Sequence, residues 1–384
     1  MGKAEAPRTG KLARGAITGL AAARIGIAEL GHRARAPSAQ AQAEHEAALG
    51  RILFGALGQL RGTALKVSQM LSMHPGLLPE GMRRELARAQ HQALPLNRAL
   101  VGRVFRQAFG QEPEALFSAF EFPAVAAASL GQVHRAQLAG HGTVAVKVQY
   151  PGVADSIDSD LNNLMILLTA SRFLPEGLFL DKTIDNARVE LKWECDYKRE
   201  AAALDKFRSL VDNDPVFEVP KVFHDASSAN VLTMERMQGV EITKNLAAMD
   251  QSTKNWIATN IMRLCLLEIA RFKYMQTDPN WANFLYNKDT KKIELLDFGA
   301  ARGYSDKFIA DCLGVLRAAV MRDREACRTY SLKLGSLTGL ESPAMLEAHI
   351  DSILVLGEPF AMEGGYDFRD QTVTDRVREN ISVM

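Results

Sequence analysis

The 384 residues predict an α+β protein. Three observations carry that class. From Glu121 to Gln149 apolar and polar residues alternate with period two around a Gly140-His-Gly142 turn. A mostly apolar run, Asn230 to Glu235, and a short hairpin ahead of Leu295 add further strand. On either side, from Glu44 to Leu71 and again after Asp306, apolar residues recur at helical spacing.

Composition sets outer bounds. A hydrophobic fraction of 47% with 24% charged is ordinary for a soluble globular chain, and the length allows two or three domains. Residues 1 to 90 hold 13 Lys/Arg against 6 Asp/Glu while the whole chain is only +1, so the basic end is a separate feature. Cys195, Cys265, Cys312 and Cys327 form no CxxC pair and no zinc spacing, and read as reduced thiols of an intracellular protein. There is no run of 18 apolar residues and no signal-peptide core, which reads against secretion and membrane spanning.

Taken in order, Arg8 to Ala43 carries six basic residues and one acid, Glu29, interleaved with Leu12, Ile17, Leu20, Ile25, Ile27 and Leu30. Two readings stand side by side: an interfacial helix drawn to anionic lipid, with a Gly15-x-x-x-Gly19 pair for close helix approach, and a basic tail or helix packed on the domain. Pro37 and the Ala/Gln-rich run to Ala43 form a linker. From Glu44, Leu49, Ile52, Leu53, Leu57, Leu60, Leu65 and Met70 give one long helix or two short ones, with Lys66-Val-Ser-Gln69 near the end; alone, Lys66 and Gln69 are a polar helix face. Pro75, Pro79 and Pro95 divide the next stretch into short helices up to Phe109.

Ala126-Ala-Ala-Ser129-Leu-Gly131 sits just before the strand pair, where a phosphate-covering loop would lie, with a single glycine. Thr143-Val-Ala-Val-Lys147-Val-Gln149 is a strand with one embedded lysine, which either reaches phosphate or points to solvent. One continuous helix is expected from Asp181 to Leu210, on which Asp196 and Glu200 share a face and Glu194 lies about 200° round. Its three acids exceed what solubility needs, and one of them should pair with Lys147. Glu235 and Met237, at the end of the Asn230 strand, stand where backbone groups would hold adenine. Trp256 to Phe272 is an amphipathic helix leading into Gln276-Thr-Asp278-Pro-Asn-Trp-Ala-Asn283.

That last stretch and Asp297-Phe298-Gly299 read together as a phosphate and metal site. Asp278 and Asn283 lie five positions apart, as the catalytic Asp and the magnesium-binding Asn do in protein kinases, and a strand then delivers Asp297. Mg²⁺ is a hard cation that takes such oxygens while bridging a nucleotide's phosphates. Asp278 lacks a preceding His-Arg, and nothing after Gly299 resembles an Ala-Pro-Glu activation segment, which reads against an ordinary Ser/Thr kinase.

With Lys66-x-x-Gln69, the Ala-rich loop, Val144-Ala-Val-Lys147, Glu194-Cys-Asp196, Glu200, Asp278 to Asn283 and Asp297 in order, residues 45 to 365 resemble the UbiB family of AarF-domain (ADCK-type) atypical kinases, closest to its coenzyme Q branch. The resemblance implies a protein-kinase-like bilobal fold: a membrane-associating segment 1–43, a helical extension 44–115, an N-lobe 116–238 and a C-lobe 239–384. It implies ATP and Mg²⁺ as cofactors, with Asp278, Lys147 and Glu200 catalytic, Asn283 and Asp297 on the metal, and Ala126, Ala127, Ala128, Ser129, Lys147, Glu235 and Met237 on the nucleotide. Lys66, Gln69, Glu194 and Asp196 become a lid over the site. The implied activity is an ATPase or small-molecule kinase supporting ubiquinone synthesis, with anionic lipid, a quinone-like molecule or quinone-biosynthesis enzymes as partners, no nucleic acid, and a homodimer left open. The alternative is a nucleotide-sensing scaffold without turnover. The expected location is the cytoplasmic face of a bacterial inner membrane, the alternative the matrix side of the mitochondrial inner membrane. Two departures stand out: Ser68 replaces a glycine of the family's lid motif, and the chain stops at Met384, early for the family, so that a final helical stretch would be absent or cut short.

Overall fold

The computed structural model describes residues 11–33, 38, 44–45, 48–52, 55, 96–128, 130–171, 180–278, 280–369 and 372–381. Lys66, Ser68, Gln69, Ser129 and the linker around Pro37 lie outside the described residues, as does most of the expected helix to Leu71. The chain divides into two compact units, residues 1–249 with 278–301, and residues 250–277 with 302–384.

The first unit begins with helix α1 (Lys11–Arg33). Ile17, Ala21 and Ile25 recur at helical spacing and are buried in one cluster with Val153, Ile157, Leu161 and Leu164 of a later helix. Its other face leaves Leu20, Ile27 and Leu30 exposed. The basic segment is therefore a packed helix with a second apolar stripe. Nothing described comes within 4 Å of where a Cβ on Gly15 or Gly19 would stand, so the small-residue pair seats no helix among the described residues.

Helix α2 (Arg98–Phe109) starts where the Asn97 side chain accepts the Leu100 N–H and stops at Gly110 in the left-handed region. Strands β1 (Ala119–Phe120), β2 (Ala126–Ala128), β3 (Gly131–Leu138) and β4 (Gly142–Gln149) come after it. They pair antiparallel, β1 and β2 both on β3, and a later strand closes the far side of β4. The Ala-rich segment, expected as a loop, is thus strand over Ala126–Ala128: Ala126 pairs with Val133 and Ala128 with Gly131, so ladder bonds override alanine's weak strand preference. Val144, Val146 and Val148 alternate onto one face of β4 and are fully buried with Val101, Val104 and Phe105 of α2. The other face of β4 carries Lys147 and Gln149.

Helix α3 (Val153–Ser171) supplies the surface that α1 covers. The expected continuous helix of residues 181 to 210 is in fact two, α4 (Leu180–Glu194) and α5 (Tyr197–Val211). The break comes at Cys195 and Asp196 because the Asp196 carboxylate accepts the Lys198 and Arg199 N–H groups, starting a new helix as its N-cap. Asp196 and Glu200 are consequently not facing neighbours on one helix. Strands β5 (Phe217–Glu218) and β6 (Val231–Glu235) come next, β6 pairing with β4 as the buried strand expected there. A second sheet has the order β5, β10 (Lys292–Leu295), β9 (Phe284–Asn287), β7 (Val240–Glu241), parallel only between β10 and β5.

The second unit is mainly helical. Its helices α6 (Gln251–Leu267), α7 (Asp306–Val320), α8 (Arg324–Leu334) and α9 (Pro343–Ala361) start on Asp250, Ser305, Asp323 and Ser342, each accepting a first-turn N–H. A short helix, α10 (Val373–Ile381), ends the described chain. The end of α6 loosens into a π-turn, Glu268–Phe272, before strand β8 (Tyr274–Met275), which pairs with β11 (Arg302–Gly303). No helix among the described residues is long and apolar enough to cross a membrane.

Candidate functional site

The site lies wholly in the first unit, where β4, the corner between α4 and α5, and the turn after β10 converge. Lys147, on the face of β4 opposite the valines, reaches Glu200 in the first turn of α5 with Nζ–Oε distances of 2.8 and 3.0 Å. The same ammonium lies 3.2 Å from Asp297 Oδ2. Burial works against the charge of Lys147, but Asp297 and Glu200 outweigh it and hold the ammonium well above the usual lysine range. Burial likewise pushes the Glu200 carboxyl up to about 7, with Lys147 opposing.

Asp297 opens the Asp-Phe-Gly turn, and its Oδ1 accepts the Gly299 N–H at 3.0 Å. Phe298 is buried with its ring 4.4 Å from that of Phe207 on α5, fastening the turn to the helix that carries Glu200. Asn283 ends a short 3₁₀ turn, Trp281–Asn283, capped by Asn280, and its carbonyl accepts the Leu296 N–H at 3.0 Å. Asn283 is therefore held beside the residue that precedes Asp297. Asp278 Oδ1 accepts the Asn280 N–H, bending the loop where the sequence places the proton acceptor.

One cavity is lined by Lys147, Glu194, Tyr197, Glu200, Asp278 and Asp297, roofed by Leu130. Of the sequence-predicted residues, five of the charged ones thus share a space. Asp196, whose carboxylate caps α5, is exposed and does not line it. Ala126–Ala128 stand in β2 beside the roof. Glu235 ends β6, where its backbone N–H donates to the Lys221 carbonyl and its carboxylate meets Arg208. Past Met237, Gly239 donates its N–H to Glu294 Oε2 at 2.8 Å; a Cβ there would stand 2.7 Å from that oxygen, so the close approach requires glycine.

Sequence reasoning passed over three residues at this corner. Gln149 donates to the Cys195 carbonyl at 2.8 Å and receives Asn230, tying β4 to the helix break. Tyr197 is 1% exposed, its ring 5.3 Å from Lys147 Nζ, and its hydroxyl has no hydrogen-bond partner among the described residues. Arg199 reaches the turn after Asp297. The only sequence signals were the place of Gln149 two residues after Lys147 and that of Tyr197 and Arg199 beside Glu194, Asp196 and Glu200.

The lining offers oxygen donors of the kind a hard divalent cation takes, although no three acidic, His or Cys side chains among the described residues are grouped as a ready-made metal site. Four carboxylates and one ammonium line a single cavity, an excess of negative charge that a magnesium ion would offset, with oxygen donors of the type it prefers.

Residues 88–331 match the family model of the ABC1 atypical kinase-like domain. The chain is 51% identical to the mitochondrial atypical kinase COQ8 of Saccharomyces cerevisiae over 378 residues, 98% of this chain and 74% of that protein. It is 49% identical to COQ8 of Schizosaccharomyces pombe over 87% of this chain and 55% of that one, and 42% identical to COQ8B of Danio rerio over 85% and 53%. The chain thus spans about half the length of the last two. Among solved structures, Rv3197 of Mycobacterium tuberculosis, determined as its complex with erythromycin, superposes with a TM-score of 0.55 at 25% identity, covering 86% of this chain and 90% of that one. Matched over most of its length by a family model and at 42–51% identity by relatives from yeast to fish, the chain belongs to the ABC1 (UbiB) family of atypical kinases, in its COQ8 branch, the branch of coenzyme Q biosynthesis.

Proposed function

We propose that the chain is a Mg²⁺-dependent ATPase or small-molecule kinase serving ubiquinone synthesis at a membrane surface. The observation that carries this reading is the meeting of Lys147, Glu200, Asp278 and Asp297 around one cavity. Magnesium, when bound, would neutralise charge on the phosphates and on the developing leaving group. Asp297 and Asn283 would hold it. Lys147, kept charged and aimed by Glu200, would bind the α- and β-phosphates, and Asp278 would accept the proton of an attacking water or hydroxyl. Ala126–Ala128 of β2, with Ser129 after them, would cover the phosphates, and backbone groups at Glu235 and Met237 would take adenine. Lys66 and Gln69 would close over Glu194 and Asp196 as a lid that leaves room for a small apolar acceptor but not for a protein.

The exposed stripe of α1, Leu20, Ile27 and Leu30, supports contact with a membrane interface. The mitochondrial relatives support a mitochondrial location, the alternative the sequence left open, over a bacterial one.

The test is phosphate release by purified protein on anionic liposomes, with Asp278→Asn alongside. Turnover lost in that variant, with Mg-ATP still raising its thermal stability, fits the reading. Wild-type protein that binds Mg-ATP without turnover makes the scaffold the better account. An Mg-ATP shift undiminished in Asp297→Asn sinks the metal assignment.

A further inference from the structure

Arg199 lies on α5 one residue before Glu200, yet its guanidinium reaches back across the corner: Nη1 donates to the Gly299 carbonyl at 2.5 Å, and Nη2 donates to the Ala301 carbonyl. The guanidinium carbon stands 4.5 Å over the Trp193 ring at the end of α4. The backbone N–H of the same residue is held by the Asp196 cap. One side chain therefore joins the last turn of α4, the first turn of α5 and the segment just after Asp297.

The carbonyls it holds lie within and at the end of the turn that follows Asp297. Within that turn the Gly299 N–H bonds Asp297 Oδ1 and the Ala301 N–H bonds the Phe298 carbonyl at 2.9 Å. The Gly299 carbonyl lies on the peptide plane after the one whose N–H bonds Asp297 Oδ1, the two hinged at the Gly299 Cα; a rotation of that following plane would loosen the turn and let the carboxylate swing. Charge-assisted bonds to two carbonyls in fixed fork geometry oppose that rotation, and lysine could supply only a point charge without the stacking.

We propose that Arg199 is a positioning residue for Asp297, a clamp through which the Glu194–Asp196 corner sets the metal affinity of the Asp-Phe-Gly turn. The proposal rests on the reading of Asp297 as a metal ligand. Partners in the shell behind a metal ligand ordinarily change metal affinity by about 10- to 100-fold, and that is the size of effect expected here.

The experiment uses the full chain as Arg199→Gln and Arg199→Lys, with Asp297→Asn as reference. Hydrogen exchange is followed over residues 297–303 without ligand, and Mn²⁺ binding is measured by electron paramagnetic resonance with a non-hydrolysable ATP analogue. Both Arg199 variants should exchange faster at Gly299 and Ala301 and bind Mn²⁺ about 10- to 100-fold more weakly, with thermal midpoints near wild type and little rescue by lysine. Unchanged exchange overturns the clamp. Faster exchange with wild-type Mn²⁺ affinity, in a series where Asp297→Asn loses it, also overturns the proposal, since Arg199 then only braces the backbone. Should Asp297→Asn itself bind Mn²⁺ normally, the metal reading fails and the proposal with it; the exchange data keep the two failures distinct.

Discussion

Lys147 and Glu200 form a two-oxygen ion pair across 53 residues of chain, with the carboxylate side chain only 1% exposed. Lys147→Met removes the cation that opposes the burial of Glu200, so the carboxyl goes further above its ordinary 4.5 than the value of about 7 it has beside the lysine. A folded value above the unfolded one gives stability that is whole below the unfolded value and is lost as pH rises through the folded one. Wild type and variant therefore both lose this carboxyl's contribution from pH 4.5 to about 7, and the variant's loss continues past it, so its deficit relative to wild type should widen above neutral pH by at most about 1.4 kcal/mol per pH unit. Urea unfolding at several pH values checks this; a pH-independent deficit would mean that water reaches the carboxyl.

Tyr197 and Gly131 make a second pair with an unusual expectation. A Cβ on Gly131 would stand 2.7 Å from Tyr197 Oη and 2.5 Å from the Val148 carbonyl, so Gly131→Ala should cost about 1–3 kcal/mol. Tyr197→Phe deletes a buried hydroxyl that bonds nothing described, and should hold or raise stability by about 1 kcal/mol. Thermal unfolding of both variants decides it. A clear loss in Tyr197→Phe would contradict the orphan hydroxyl.

Glu268, at the π-turn of the second unit, is buried enough to lift its carboxyl to about 8, with the Gln276 N–H opposing. The raised value favours the protonated form at neutral pH, and ionising it costs stability. Because its folded value is raised, its contribution is complete below 4.5 and declines up to pH 8, by at most about 1.4 kcal/mol per pH unit. Glu268→Gln should flatten that part of the stability profile. A slope identical to wild type would place the carboxyl in water.

For α1, deleting the segment uncovers the buried face of α3 and confuses unfolding with detachment. Replacing Ile27 and Leu30, each 70% exposed, by Asp leaves the packed face intact. Pelleting with anionic liposomes should drop severalfold with an unchanged thermal midpoint. Full pelleting would put the attachment surface elsewhere.

The features legible in the sequence were those with a local signal. Val144, Val146 and Val148 announced a strand by alternation and left Lys147 on the opposite face; Asp297 followed a short hairpin at the right spacing from Asp278. The break at Cys195 was not legible, because no glycine or proline interrupts residues 181 to 210 and periodicity runs through it. It depends on Asp196 choosing a cap over a helix position, a competition that turns on a few tenths to about 2 kcal/mol. Arg199 was invisible for another reason: its partners lie 100 and 102 positions away, and nothing in a helix pattern tells a solvated arginine from one that reaches another turn. The strand at Ala126–Ala128 belongs to the same class, since its pairing with β3, not its composition, makes it strand.

The parallel pairing of β10 with β5 bears on the order in which the molecule assembles. Ile293 joins Phe217, and the intervening chain includes residues 250–277, which belong to the other unit. A parallel pair cannot be closed by a tight turn, so its formation waits on a long loop and is slow. On the ribosome, Lys147 and Glu200 emerge well before the strand that brings Asp297. A chain cut off before Ile293 would carry both partners of the Lys147–Glu200 pair while lacking the Asp297 carboxylate that completes the contact around Lys147.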